Sequence, residues 1–473
     1  MAFSTNVFRD GQWVTETVDF GTALKASSEA KGGAELGHER GPLGILSRTI
    51  VSSPAVNFIL PVCLRAREYN DIAYIGDRSI RIKEQKGDGQ QTEVLSYYGF
   101  ESRIRNAVVL GAPPELAREQ DGDANPLNNL VKKESLSQVE GMLDTDMDID
   151  QQYLPPQILV LMLETGELCF VFIEKKPPRY EQKLFVKAIA TQARVPYLGY
   201  HLAIDPSFRY IAAASPEEVL MVYYLKSWEE LAEEYRENGT FHPVILTQSR
   251  IIHAVIHTVD FLYPRPQDDY HIIMVLLVCR KDQARSRAWR ILTYDWEAGD
   301  PLRNVLSQQK AALRLPELPD IPLFLIPLRF QSTFFMVFSN HVCLVKQALS
   351  VPEYEFTPLP HMGKSELHYG TEGPLWSAWA RPFRRKSYME RTDIIYLARE
   401  DGVVIHMELE SSSLLHSATQ IGSLDTNIGK AFAAAYDAFS DLLIIGGESG
   451  PGGVWKVRLS APASQNRLMG EFC

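Results

Sequence analysis

Between Trp376 and Arg391 the chain reads WSAWARPFRRKSYMER, which places five basic residues beside two tryptophans. Cationic side chains neutralise phosphates, and aromatic faces between them stack bases. Trp376, Trp379, Arg381, Arg384, Arg385 and Lys386 are therefore the candidate interaction patch. The plainer reading is a solvated loop between strands, with two packed tryptophans. Other stretches resemble reaction motifs without meeting their chemistry. GSLDTNIGK has Leu424 where a phosphate loop needs glycine, and Ala431 where a hydroxyl would hold magnesium. GGESGPGG has Pro451 where a nucleophile elbow needs glycine. His253 and His257 stand four apart, but IIHAVIHTVDF has a strand pattern and lacks the glutamate of the helical zinc motif. Asn238-Gly239-Thr240 matches a glycosylation acceptor, of use only to a secreted chain. The expectation is a non-enzymatic protein with no catalytic residues, no cofactor, no metal and no small-molecule substrate.

Bulk properties narrow the partners. The chain has 473 residues, 45% of them hydrophobic and 23% charged, which is ordinary for a globular protein. A net charge of −11 argues against broad attraction to phosphate backbones while leaving room for a local basic patch. The five cysteines, Cys63, Cys169, Cys279, Cys343 and Cys473, form no CxxC pair, which fits a reducing compartment. The first residues, MAFSTNVFRDGQ, lack the apolar core of a signal peptide. The most apolar runs are too short or too interrupted by Arg329 and proline to span a bilayer. A soluble intracellular protein is expected, with no membrane contact.

The elements that must position any site repeat one grammar. In HLAIDPSFRYIAAASPEEVLMVYYLK, from His201 to Lys226, turns at Asp205-Pro206-Ser207 and Pro216-Glu217-Glu218 bracket runs rich in Val, Leu and Tyr. QILVLMLETGELCFVFI places Glu164-Thr165-Gly166-Glu167 between apolar runs, and TDIIYLAREDGVVIHMELE does the same with Asp401-Gly402. The Asp-Gly pair predicts a type I′ hairpin turn. The stretch from Arg250 to Tyr263 reads as one strand. SWEELAEEYREN is the one convincing helix, a short surface connector with Trp228, Leu231 and Tyr235 on one face.

Strand candidates number about 22 to 26, enough for seven four-stranded blades, within a range of six to eight. The expected fold is all-β: a WD40-like β-propeller of four-stranded antiparallel blades with one short surface helix and long loop insertions. Residues 1–50 form an extension partly contributing to the propeller, 51–460 form the propeller, and 461–473 form a tail. Residues 112–154, acidic and poor in aromatics, read as a disordered insertion.

Several segments carry a family resemblance. SSPAVNFILP with NDIAYIGDRSIRIKE, HLAIDPSFRYIAAASPEEVLMVYYL, IIHAVIHTVDFLYP, RAWRILTYDWEAGDP, DIIYLAREDGVVIHMELE and LIIGGESGPGGVWKVR occur in order across most of residues 50–460. Together they resemble the N-terminal propeller shared by three large subunits. These are the damaged-DNA-binding subunit that serves as cullin-ligase adaptor, the cleavage-and-polyadenylation specificity factor subunit and the splicing factor 3b subunit. The same segments resemble the methyl-methanesulfonate-sensitivity N-terminal domain of fungal relatives. The resemblance implies a protein-interaction scaffold whose partners belong to a larger nuclear complex, with the cytoplasm as a second compartment. The alternative is a nucleic-acid-binding propeller acting in pre-mRNA processing or damage recognition. Family members carry three propellers, of which only the first is recognisable here.

Overall fold

Several middle strands carry continuous apolar runs, such as ILVLML at 158–163 and YIAAA at 210–214, so each must be covered on both faces. Tyr210–Ala214 is buried throughout. Ile211 and Ala213 pack among residues of the preceding sheet, whereas Tyr210, Ala212 and Ala214 pack among those of the next. Ile272, Met274 and Leu276 likewise turn one way, and Ile273, Val275 and Leu277 the other. Side chains alternate across a strand, so a continuous apolar run marks a sheet sandwiched between two neighbours.

The structure is a computed structural model. It describes residues 2–9, 12–19, 55–67, 69–86, 90–113, 154–176, 181–190, 195–281, 287–308, 311–315, 318, 320–359, 374–382, 392–410, 415–423, 431–435, 441–447, 450–457 and 471–472. Seven four-stranded antiparallel sheets, each of consecutive strands, form a seven-bladed β-propeller. Blades one to seven span residues 58–97, 104–189, 201–251, 255–314, 324–358, 376–423 and 431–472. The first strand of blade seven, Ala431–Ala435, lies against that of blade one, Phe58–Val62, and closes the ring. The Val56 amide donates to the Gly447 carbonyl across this seam at 2.9 Å.

Before residue 53 the described residues are those of two strands. These strands, Ala2–Arg9 and Gln12–Asp19, pair with each other as a two-stranded antiparallel sheet. Glu471–Phe472 is the fourth strand of blade seven, which carries the propeller past residue 460 into the stretch expected to be a tail. Most of the acidic insertion lies outside the described residues.

Two hairpins show how glycine sets local geometry. The Gly402 amide donates to the Arg399 carbonyl at 2.9 Å, and the Gly166 amide to the Leu163 carbonyl at 2.9 Å. Gly402 has φ 89°, whereas Asp401 is not among the positive-φ residues. The turn is therefore an ordinary type I turn closed by a left-handed glycine, not the expected type I′. The Asp401 carboxylate is held by Arg399 through two contacts of 2.7 Å.

Helix α1, Trp228–Asn238, is started by a reciprocal capping box between Ser227 and Glu230 and stopped by left-handed Gly239. It is more than a surface connector. Tyr235 and Leu231 are buried, and the Tyr235 ring meets Phe172 and Phe185 of blade two edge-on. Its hydroxyl donates to Glu174 Oε1 at 3.0 Å. A second helix, α2 (Leu302–Ser307), occupies the long connection of blade four and buries Leu302 and Leu306.

Replacing Gly402 with valine should destabilise the protein by about 1–3 kcal/mol, since a β-branched residue is strained at positive φ. Chemical denaturation followed by tryptophan fluorescence would read this, and an unchanged midpoint would exclude the left-handed turn.

Candidate functional site

The described half of the tryptophan–arginine patch, Trp376, Trp379 and Arg381, is built into the fold. Trp376 begins the first strand of blade six, Trp376–Ala380, is 2% exposed, and donates its indole N–H to the Ser339 carbonyl at 3.1 Å. Arg381 follows that strand. Its Nε lies 2.9 Å from Asp393 Oδ1, with side-chain exposures of 10% and 1%. Its Nη2 donates to Asp393 Oδ2 at 3.0 Å and to the Pro327 carbonyl of blade five. Half-buried Trp379 lies under the Arg381 guanidinium, 5.3 Å from its centre. Arg384, Arg385 and Lys386 lie outside the described residues. The fold thus separates a sequence cluster into a structural ion pair and an undescribed remainder.

Arg381 belongs to a charged belt where the first strands end. Asp393 Oδ2 also accepts from the Arg329 amide of blade five at 3.0 Å. Asp260, on the first strand of blade four (Val255–Leu262), faces the same charges. Burial pushes its carboxyl up to about 7, against the smaller opposing pull of the Phe261 amide and Arg381. Each of these groups is explained by holding blades together.

The opposite end of the ring, where the first strands begin, offers a different surface. Tyr197 and Tyr200 are 55% and 50% exposed, and Ile251 and Val255 are 58% and 53% exposed. Large apolar groups at this exposure are a mark of interaction surfaces. The tyrosines stand on a turn in which Tyr197 has φ 56° and Gly199 φ 76°. At Gly199 a β-carbon would sit 2.0 Å from Met162 Cγ, so the close approach to blade two requires glycine.

A polar network locks this turn in place. Arg105 of blade two donates to the Leu198 carbonyl at 2.9 Å, lies 3.6 Å from Glu164, and stands over the Tyr197 ring at 5.6 Å. Asn106 donates to the Tyr200 carbonyl at 3.0 Å. Ser215 Oγ donates to the Pro196 carbonyl at 2.7 Å and accepts from the Glu217 amide at 3.1 Å. The Pro216-Glu217-Glu218 turn is thereby tied to the tyrosine turn. The Ile252 amide donates to the Glu218 carbonyl at 2.8 Å, extending the chain of contacts into blade four.

The histidine pair divides between two roles. His257, in a strand as expected, donates Nε2–H to the Pro322 carbonyl at 2.6 Å, and burial pushes its imidazole below the usual value. His253 is not in a strand. It sits in the break between Val244–Ile251 of blade three and Val255–Leu262 of blade four. Its φ is 56°, and its exposed ring lies 3.8 Å from Glu218. The expected single strand from Arg250 to Tyr263 is therefore two strands in different blades.

Glu218 shares the left-handed conformation, with φ 70°. Three non-glycine residues, Tyr197, Glu218 and His253, thus hold a costly backbone geometry around one surface. Sequence reasoning found neither this geometry nor this surface. Only the YLGY tetrad, exposed aromatics around a glycine, hinted at it. Among the described residues no group of three or more His, Cys, Asp or Glu side chains has the geometry of a metal site. No described helix is long and apolar enough to cross a membrane.

Comparison with known proteins bears on this arrangement. A family model described as the RSE1/DDB1/CPSF1 first beta-propeller matches residues 55–472. A search of curated proteins returns no match to the chain.

Replacing Asp260 with asparagine should flatten the pH dependence of stability. A carboxyl raised in the folded state, against about 3.9 unfolded, holds its proton more tightly when folded. That contribution is fully present below about pH 4 and is lost as pH rises through about 7. Between acid and neutral pH the wild type should lose more melting temperature than Asp260→Asn. Parallel profiles would show that Asp260 does not titrate there.

Proposed function

The chain belongs to the RSE1/DDB1/CPSF1 first β-propeller family, and on that premise we propose that it is a non-enzymatic scaffold that docks protein partners within a larger nuclear complex. The observation that carries this is the surface around Tyr197, Tyr200, Ile251 and Val255, exposed yet held by a continuous polar network. Tyrosines fixed in this way offer contact area with little entropy left to lose on binding. Three left-handed side-chain-bearing residues at the same place add to the argument, because strain of this kind concentrates at functional sites. The resemblance to subunits of cullin-ligase, RNA-processing and repair assemblies supports the kind of complex.

Affinity purification of the tagged full chain with mass spectrometry tests the reading. Recovery of components of such assemblies is expected, with loss of at least some from a Tyr197→Asn/Tyr200→Ser variant of unchanged melting temperature. Asparagine is chosen at 197 because it tolerates positive φ. An identical set of proteins from both chains would remove the tyrosine face, and recovery of no such components would remove the scaffold role.

A further inference from the structure

Resting on the reading of the tyrosine face as a docking surface, we propose that the partner seats a basic side chain, arginine or lysine, against it. The receiving groups are the carboxylates of Glu217 and Glu218 and the rings of Tyr197 and Tyr200. Glu217 and Glu218 are exposed at the tip of the blade-three turn. Through Ser215 that turn is hydrogen-bonded to the residue preceding Tyr197. The acidic turn and the aromatic turn are therefore one rigid unit.

The chain's own cations show what this unit accepts. The Arg105 guanidinium already rests between the Tyr197 ring and Glu164, with a side chain only 13% exposed. Its donors are directed inward, to the Leu198 carbonyl. Arg280, the neighbouring base in blade four, directs its donors to the carbonyls of Ile252 and His253. The exposed carboxylates here are Glu217, Glu218 and Glu164, the last 54% exposed. The exposed bases nearby already face groups of this chain: Arg103 pairs with Asp77 at 3.0 Å, Arg280 with backbone carbonyls, and the His253 ring lies 3.8 Å from Glu218. A carboxylate pair beside tyrosine faces matches a cation with a flat or extended stem, by ion pairing and by attraction to the ring quadrupole. Ile251 and Val255, farther along the surface, would take apolar residues flanking that cation.

Two short fluorescein-labelled peptides test this, with identical leucine positions and either arginine or glutamate at the rest. Anisotropy titrations against the full chain should favour the arginine peptide by about tenfold or more at low salt, with the gap narrowing as salt rises. Glu217→Lys/Glu218→Lys should abolish or reverse the preference at unchanged melting temperature. Glu229→Lys/Glu233→Lys on helix α1, an equal change of charge elsewhere, should leave most of it. No preference, or a preference lost equally in both charge variants, overturns the proposal. Tyr197→Asn/Tyr200→Ser separates the two levels. If it weakens both peptides while charge has no effect, the docking face stands and the basic partner falls. If it alters neither peptide, the docking face falls as well.

Discussion

Everything in this propeller depends on the contact between neighbouring blades. A four-stranded sheet whose middle strands are apolar on both faces cannot stand alone in water, because each face must find a second sheet. The ring supplies both, and hydrogen bonds fix the spacing at each end of the first strands. Where the strands begin, Asn106 reaches the connection into blade three, His201 reaches the Ile256 carbonyl at 3.2 Å, and His257 reaches Pro322. Where they end, the Cys63 amide donates to Gln157 Oε1 at 2.9 Å and the Ser332 amide to the Tyr263 carbonyl at 3.0 Å. Arg381 and Asp393 complete that belt between blades five and six. Burying such polar groups is tolerable only because each reaches a partner across the interface, which also fixes the register between blades.

This explains which parts of the fold could be read from sequence. Middle strands announce themselves, since two-sided burial writes a continuous run of Ile, Val, Leu and Phe, as in Ile158–Leu163 and Phe334–Val337. Outer strands do not. Ala311–Arg314 has the composition of a helix, and Glu353–Pro358 carries two glutamates and a proline, yet both complete blades. Their strand state is imposed by the neighbouring edge and not by their own propensity. The break at residues 252–254 was hidden for the opposite reason. Ile251, Ile252 and Ala254 continue the apolar pattern through a change of blade, and the left-handed turn falls on His253, with no glycine or proline to mark it.

The candidate site was less legible than the fold, and for a related reason. Proximity in sequence gathered Trp376, Trp379 and Arg381 into an apparent surface patch, but an alternating strand sends neighbours to different environments. Arg381 then stops at a buried carboxylate from the next strand. The tyrosine face has the reverse history. Its residues come from five separated segments around positions 105, 164, 197–200, 215–218 and 251–255, joined by hydrogen bonds and an ion pair. No local pattern encodes such a surface.

The closing seam has a consequence for how the molecule forms and yields. Its apolar contact joins Val56, Ile59, Ile72 and Tyr74 to Ala431, Ala433, Leu442 and Ile444, so one side is lined partly by alanine. Among the described residues, the strands of blade one and of blade seven are each consecutive in sequence. Each blade can therefore assemble from local hairpins, and the contact between Val56 and Gly447 comes from the two ends of the ring. Closing so long a loop carries the largest entropic cost of any contact between blades. The propeller is in this sense a clasped band, with its clasp between the last blade and the first.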